Sequence, residues 1–379
     1  MNILIASHSP TLTTGYGRVT REFSKAILYA GHKIRVIGAG YQGEYNPQGF
    51  PIFPSSTTDA FGDSIRAQLA DRWPDVILTI GDPWMFIDLP AIQATRGINA
   101  HVPWVACYPI DSRPVPTNWH AWARSADANI VFSEYAARAM KEDAGIVDTI
   151  VVPHGVDRSI FRPLDRHASK ARVGVTGKFV VGTVAINQQR KNLPALIEAF
   201  AHFAGSKTDV VLYLHTLIDG YYDLQHFLDT FGVTHRAKAT LGYDPVRGLS
   251  DADLSVVYNS FDIFVLPTTA EGFGLPLLES QACGVPALAT DCSSCTELLP
   301  NLFQRIPVRE TVTVNGGMSR SLIDVAELAA RLDRLYSDHA LREELSRSSS
   351  AFATRFDWET VTRPLVRVVE DVVTSKRGV

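Results

Sequence analysis

Cysteine is scarce in this chain. Four thiols scattered through 379 residues cannot frame a fold of this size, so a disulfide-stapled secreted protein is excluded and a reducing cytoplasm is the expected compartment. Long apolar runs are missing too. No stretch approaches the roughly 20 residues that cross a bilayer. The opening Met1-Asn2-Ile3-Leu4-Ile5-Ala6 lacks a leader's basic start and cleavage site and reads as a buried strand. An excess of one charge is also lacking. Lysine and arginine total 36 against 40 acidic residues, for a formal charge of −4, and that offers a nucleic acid no electrostatic footprint. Short-period repeats and low-complexity tracts are absent as well.

What remains is an ordinary α/β composition on a chain longer than one core usually serves, so two domains are expected. The pattern of residues supports this. A β-branched run over residues 2–6 leads into a polar loop, and then Val19, Phe23, Ala26, Ile27 and Ala30 recur at helical spacing. Gly31 stops that helix, and residues 33–38 form the next apolar strand. Further runs at 76–80, 102–107 and 128–132 continue the alternation of a doubly wound α/β domain. A second series starts at 179–184 and runs through a helix at 193–203 and strands at 210–215, 263–266 and 287–290. The expected division is 1–160, 161–355 and a terminal helix within 356–379, the Pro- and Gly-bearing segment 152–163 being the linker.

In open parallel sheets ligands bind beyond the carboxyl ends of the strands. Ala270-Glu271-Gly272-Phe273-Gly274-Leu275-Pro276 follows such a strand and opens a helix. Gly272 and Gly274 let backbone approach a ligand, and Pro276 suits a first helical turn. The free N–H groups there, with the helix dipole, suit a diphosphate. Glu271 precedes this site and Glu279 lies on the helix, where carboxylates can accept hydrogen bonds from sugar hydroxyls. Alone, the segment reads equally as a capped helix with solvated glutamates.

The stretch from Ala270 through Glu279 to Ser280-Gln281-Ala282-Cys283-Gly284-Val285-Pro286, with Glu297-Leu298 beyond, closely resembles the signature of retaining glycosyltransferases of the GT-B fold, family 4, whose two glutamates also stand eight positions apart. Residues 152–163, 249–267 and Phe356-Asp357-Trp358-Glu359 extend the resemblance over nearly the whole chain. It implies two Rossmann-like domains facing a central cleft, with a C-terminal helix crossing back to the first. It implies a nucleotide diphosphate sugar as donor and co-substrate, with no resident cofactor and no metal. Glu271 is then the residue near the reacting sugar and Glu279 the ribose ligand, while backbone N–H groups around Gly272, Phe273, Gly274 and Leu275 hold the diphosphate.

Asn187-Gln188-Gln189-Arg190-Lys191-Asn192 follows the first strand of the second domain. Fixed cations there would stabilise a leaving diphosphate as its charge grows. Asn187, Arg190 and Lys191 are the expected donor contacts, with Lys191 on the family's phosphate lysine. Ile186 stands near where related sequences often carry arginine, which leaves that role to Arg190. Thr14-Gly15-Tyr16-Gly17 resembles the family's first glycine-rich loop, although Tyr16 is bulkier than usual. After residues 102–107 the family's histidine is replaced by Tyr108-Pro109-Ile110-Asp111. Asp111 is the nearest polar substitute, and it reads equally as a turn aspartate. Tyr243 is the candidate for holding the base.

Asp251-Ala252-Asp253 has the spacing of a metal motif but reads better as the first turn of a helix capped by Ser250. Cys292-Ser293-Ser294-Cys295 lacks a second ligand pair, and its cysteines are expected to be incidental. The acceptor stays open between glycan, lipid, small molecule, protein and modified base. Apolar residues of segment 41–58 add peripheral membrane contact to the expected partners. Two other functions stay beside the transferase: a nucleotide-sugar epimerase or phosphorylase on the same fold, and a non-catalytic carbohydrate-binding scaffold.

Overall fold

A computed structural model of the protein describes residues 1–55, 61–94, 102–314 and 316–377. The expectation for segment 41–58 falls partly outside them. The chain divides into two compact units, Met1–His154 with Trp358–Val379, and Gly155–Asp357. The changes of unit thus fall at 154/155 and 357/358, beside the 160/161 and 355/356 read from the sequence.

The first unit is built on seven strands: β1 (Asn2–His8), β2 (Lys33–Ala39), β3 (Ile52–Pro54), β4 (Val76–Ile80), β5 (Trp104–Tyr108), β6 (Ala128–Val131) and β7 (Thr149–Val151). They pair in parallel in the order β3-β2-β1-β4-β5-β6-β7. All five residues of β4 are buried, as a central parallel strand requires when helices cover both faces.

The helix Gly15–Tyr29 shows why the sequence folds this way. Thr14 caps it by accepting the Gly17 N–H at 3.0 Å, and Val19, Phe23 and Ile27 fall on one face at intervals of four and are fully buried. Each such side chain contributes roughly 1.5–3 kcal/mol. A Cβ on Gly17 would stand 2.6 Å from the Leu12 carbonyl oxygen and 2.9 Å from that of Ser9. Both are backbone atoms and cannot swing away. Gly17→Ala is therefore expected to cost about 1–3 kcal/mol in urea unfolding; wild-type stability would contradict the close approach.

The C-terminal segment belongs to this unit. Leu365, Val369 and Val373, again spaced by four, are buried where the helix Arg363–Arg377 meets Gly15–Tyr29 and strands β4, β5 and β6. His32 Nε2 lies 2.9 Å from Glu370 Oε1, and the rings of Phe23 and Trp358 meet edge-on at 6.3 Å. The single helix expected from Trp358 onward is two, Trp358–Val361 and Arg363–Arg377, because Pro364 has no N–H for the Thr360 carbonyl.

The second unit repeats the plan with β8 (Phe179–Val184), β9 (Val210–His215), β10 (Ala237–Ala239), β11 (Ile263–Leu266), β12 (Ala287–Thr290) and β13 (Arg305–Ile306). These are parallel in the order β10-β9-β8-β11-β12-β13. Leu196, Ile197 and Phe200 of the helix Leu193–Ala204 pack with Leu212, Val265 and Leu288 in its core. A further antiparallel pair, β14 (Val308–Thr313) and β15 (Ser319–Ile323), was not anticipated from the sequence. Strand order reverses between β1 and β4 and between β8 and β11. These are the places where such sheets bind ligands. Among the described residues no helix is long and apolar enough to cross a membrane.

Candidate active site

At the β8/β11 reversal two loops are stitched together. The first ends in the turn Gln189–Lys191, closed by Asn192 in the left-handed region at φ 50°. The second follows β11. Thr269 donates its N–H to the Arg190 carbonyl at 2.7 Å, and the Thr268 and Thr269 hydroxyls lie 3.1 and 3.2 Å from the same oxygen. This places both cations of the first loop on the carboxylate of the second. Lys191 Nζ donates to Glu271 Oε2 at 2.6 Å, and Arg190 Nη1 donates to that oxygen and to the Ala270 carbonyl, each at 3.1 Å.

Glu271 and Lys191 are both about 6% exposed. Burial alone would raise the Glu271 pKa, but the charges of Arg190 and Lys191 and their hydrogen bonds outweigh it and bring the carboxyl down to about 2. Lys191 is pushed down by burial and by Arg190, with Glu271 opposing. Glu271 is thus firmly ionised. Two basic side chains against one carboxylate give the trio a formal net charge of +1.

That charge sits beside a helix N-terminus. Gly274 adopts φ 106° as the cap of Leu275–Ala282, with Pro276 in the first turn, and a Cβ there would lie 3.5 Å from Glu271 Cγ. The geometry demands glycine; Pro276 has no N–H and the Leu277 N–H donates to the Gly274 carbonyl at 3.0 Å, so the Leu275 N–H is the one that points out of the helix end. Further along, the buried Glu279 accepts the Tyr258 hydroxyl at 2.7 Å. Phe273 is buried with its ring 6.3 Å from that of Phe356, and Gly272 is half-exposed.

Other expected residues stand elsewhere. Asn187 braces the loop 217–222. Its amide nitrogen donates to the Leu217 and Tyr222 carbonyls at 3.0 and 2.7 Å, and its oxygen accepts the Tyr222 N–H at 3.1 Å. Tyr243 packs edge-on against His215 beyond β9, ring centroids 4.9 Å apart. Gly15, Tyr16, Gly17 and Asp111 belong to the first unit. There, at the β1/β4 reversal, Tyr16 donates to Asp82 Oδ2 at 2.9 Å with its ring against His8, while Asp111 accepts the Ser112 hydroxyl at 2.9 Å. Asp82 follows β4, and its pairing with Tyr16 was not anticipated.

Asp251 and Asp253 lie in a first helical turn capped by Ser250, whose hydroxyl accepts the Asp253 N–H at 3.1 Å. Among the described residues no cluster of three metal-ligating side chains forms. Cys292 and Cys295 are buried free thiols, but the serines between them are not incidental. Ser293 Oγ accepts the Glu271 N–H at 2.8 Å, and Ser294 Oγ lies 2.8 and 2.9 Å from the Glu271 and Phe273 carbonyl oxygens.

Two doubly wound parallel units, each with polar groups gathered where strand order reverses, define a protein of the GT-B fold. Solved structures agree over the full length. Sucrose-phosphate synthase from Thermosynechococcus elongatus superposes with a TM-score of 0.80 over 99% of this chain and all of that one, at 15% identity. Anabaena HepE in complex with UDP and glucose does so with a TM-score of 0.74 over 98% of this chain and all of that one, at 19% identity. Residues 165–351 match the model of the family described as glycosyl transferases group 1. The second unit therefore carries the domain that defines that family. The chain is similar to the D-inositol 3-phosphate glycosyltransferases of Arthrobacter sp. (strain FB24), 30% identical over 55% of this chain and 47% of that one, and of Paenarthrobacter aurescens (strain TC1), 28% identical over 62% and 52%. The chain spans about half the length of the curated relatives it matches.

Proposed function

We propose that this protein transfers a sugar from a nucleotide diphosphate donor to the hydroxyl of an acceptor, without a metal and with retention at the anomeric carbon. The observation that carries this reading is the Arg190–Glu271–Lys191 cluster, of net charge +1, beside the N-terminus of Leu275–Ala282. A leaving diphosphate gains charge as the glycosidic bond breaks. Cations and N–H groups fixed in a buried site stabilise that charge with little reorganisation, which is the usual task of a metal. Glu271 holds the cations in register beside the reacting sugar, and Glu279, already oriented by Tyr258, accepts from the ribose hydroxyls. Asp111 orients the donor sugar or the acceptor hydroxyl, and Gly15, Tyr16 and Gly17 form a loop against the substrates. UDP is the favoured nucleotide because HepE, of the same fold, is described in complex with UDP and glucose. The four buried free thiols favour a reducing compartment such as the cytoplasm.

A melting-temperature screen of UDP-, GDP-, ADP- and dTDP-sugars, with and without a chelator, tests this. A ligand at a hundred times its dissociation constant adds about 2.7 kcal/mol. A rise of a few degrees with one nucleotide, unaffected by chelator, is the expected result. No rise with any, or a rise abolished by the chelator, would contradict it. The anomeric coupling constant of the product, read by proton NMR, tests retention.

A further inference from the structure

Among the described residues only two other than glycine hold a positive φ, Asn192 at 50° and Ser293 at 43°. Both border the Glu271 cluster. Asn192 directly follows Lys191, and Ser293 accepts the Glu271 N–H at 2.8 Å. The left-handed region is disfavoured for a residue with a Cβ, and glycine would fill this turn without strain. Strain of this kind persists where the surrounding structure holds it in place and gathers at functional sites. At Ser293 the compensating contact is visible, since its hydroxyl is the acceptor for the amide of the carboxylate residue. The buried Ser294 takes the other side of the same residue, its hydroxyl 2.8 Å from the Glu271 carbonyl and 2.9 Å from that of Phe273.

We propose that Ser293 and Ser294 are positioning residues. They grip the Glu271 backbone on both sides of its Cα, at its N–H and its C=O, from a loop 22 and 23 residues further along the chain and so fix where its carboxylate meets Arg190 and Lys191. The inference rests on the donor-binding reading of that cluster. A side chain kept in a conformation better suited to glycine contributes its hydroxyl to the site, not flexibility to the turn.

The test compares Ser293→Gly, which keeps the turn and loses the hydroxyl, with Ser293→Asn, which tolerates the left-handed region and restores a side-chain oxygen acceptor. Amide exchange at Glu271, followed by NMR on deuterated protein, is measured beside donor kcat and KM. In the glycine variant, exchange at Glu271 is expected to accelerate about tenfold and kcat to fall about tenfold, with donor KM and melting temperature little changed. The asparagine variant is expected to recover most of both losses. Wild-type exchange and kcat in the glycine variant would overturn the proposal. So would faster exchange with unchanged kcat, which would make the contact a structural tie alone. If the wild-type protein turns over no donor, the transferase reading fails by itself and the exchange measurement still decides whether Ser293 holds Glu271.

Discussion

Lys191→Met is expected to lower kcat/KM for the donor by about 10²–10³, the usual loss when one preorganised group that stabilises developing charge is removed. Lys191 is buried, and its ammonium is 2.6 Å from Glu271 Oε2. Methionine fills the same space without charge. The net charge of the trio then falls from +1 to zero, and Glu271 keeps Arg190 as its remaining cation in the trio. Losing one partner of a buried pair also destabilises, by about 3–5 kcal/mol. Kinetics and urea unfolding should therefore be measured on the same preparation, to show that the variant is folded where it is slow. A variant folded as wild type with unchanged kcat/KM would remove Lys191 from the site.

The second large effect is on stability against acid. Glu271 titrates near 2 in the folded protein, against 4.5 ordinarily. A depressed carboxyl stabilises the fold at pH values above its unfolded pKa, and that contribution is lost as pH falls from about 4.5 through about 2. The full shift corresponds to about 3 kcal/mol, part of it offset by the burial that lowers Lys191. Glu271→Gln cannot titrate. Urea unfolding should show the variant less stable than wild type by about 2–3 kcal/mol at pH 7, with the gap narrowing as pH is lowered from 5 towards 2. A gap that is constant over that range would mean that the carboxylate is not held by its two cations.

The architecture was legible because the central strands are short apolar runs separated by amphipathic helices, a pattern that parallel sheets impose. The N-terminus of Leu275–Ala282 was legible for a local reason: Gly274 and Pro276 punctuate it, the first required by its positive φ and the second suited to a first helical turn. The meeting of Lys191 with Glu271 spans 80 residues. The resemblance set both residues beside the donor, but their ion pair was not read, because sequence spacing says nothing of which loops lie at neighbouring strand ends. The part played by Ser293 and Ser294 escaped for that same reason, β11 and β12 being neighbours in the sheet. The two cysteines beside them drew attention to metal and redox spacing and away from the hydroxyls. Asn187 was grouped with the donor contacts because it shares the segment 187–192 with Arg190 and Lys191; that its amide braces the loop 217–222 was not legible. Strands of two or three residues such as β7, β10 and β13 carry too little periodicity to be read.

The central claim is that Arg190, Lys191 and the helix after Gly274 receive a diphosphate. Arg190 is the better probe, because its side chain is 30% exposed and its loss disturbs the fold least. Calorimetric titration of UDP into wild-type protein and into Arg190→Gln, both with a chelator present, tests the claim most directly. The account predicts metal-free binding to the wild type that weakens at least about tenfold in the variant, the scale of one charge-assisted contact. No binding by the wild type, or equal affinity in the two proteins, would contradict it.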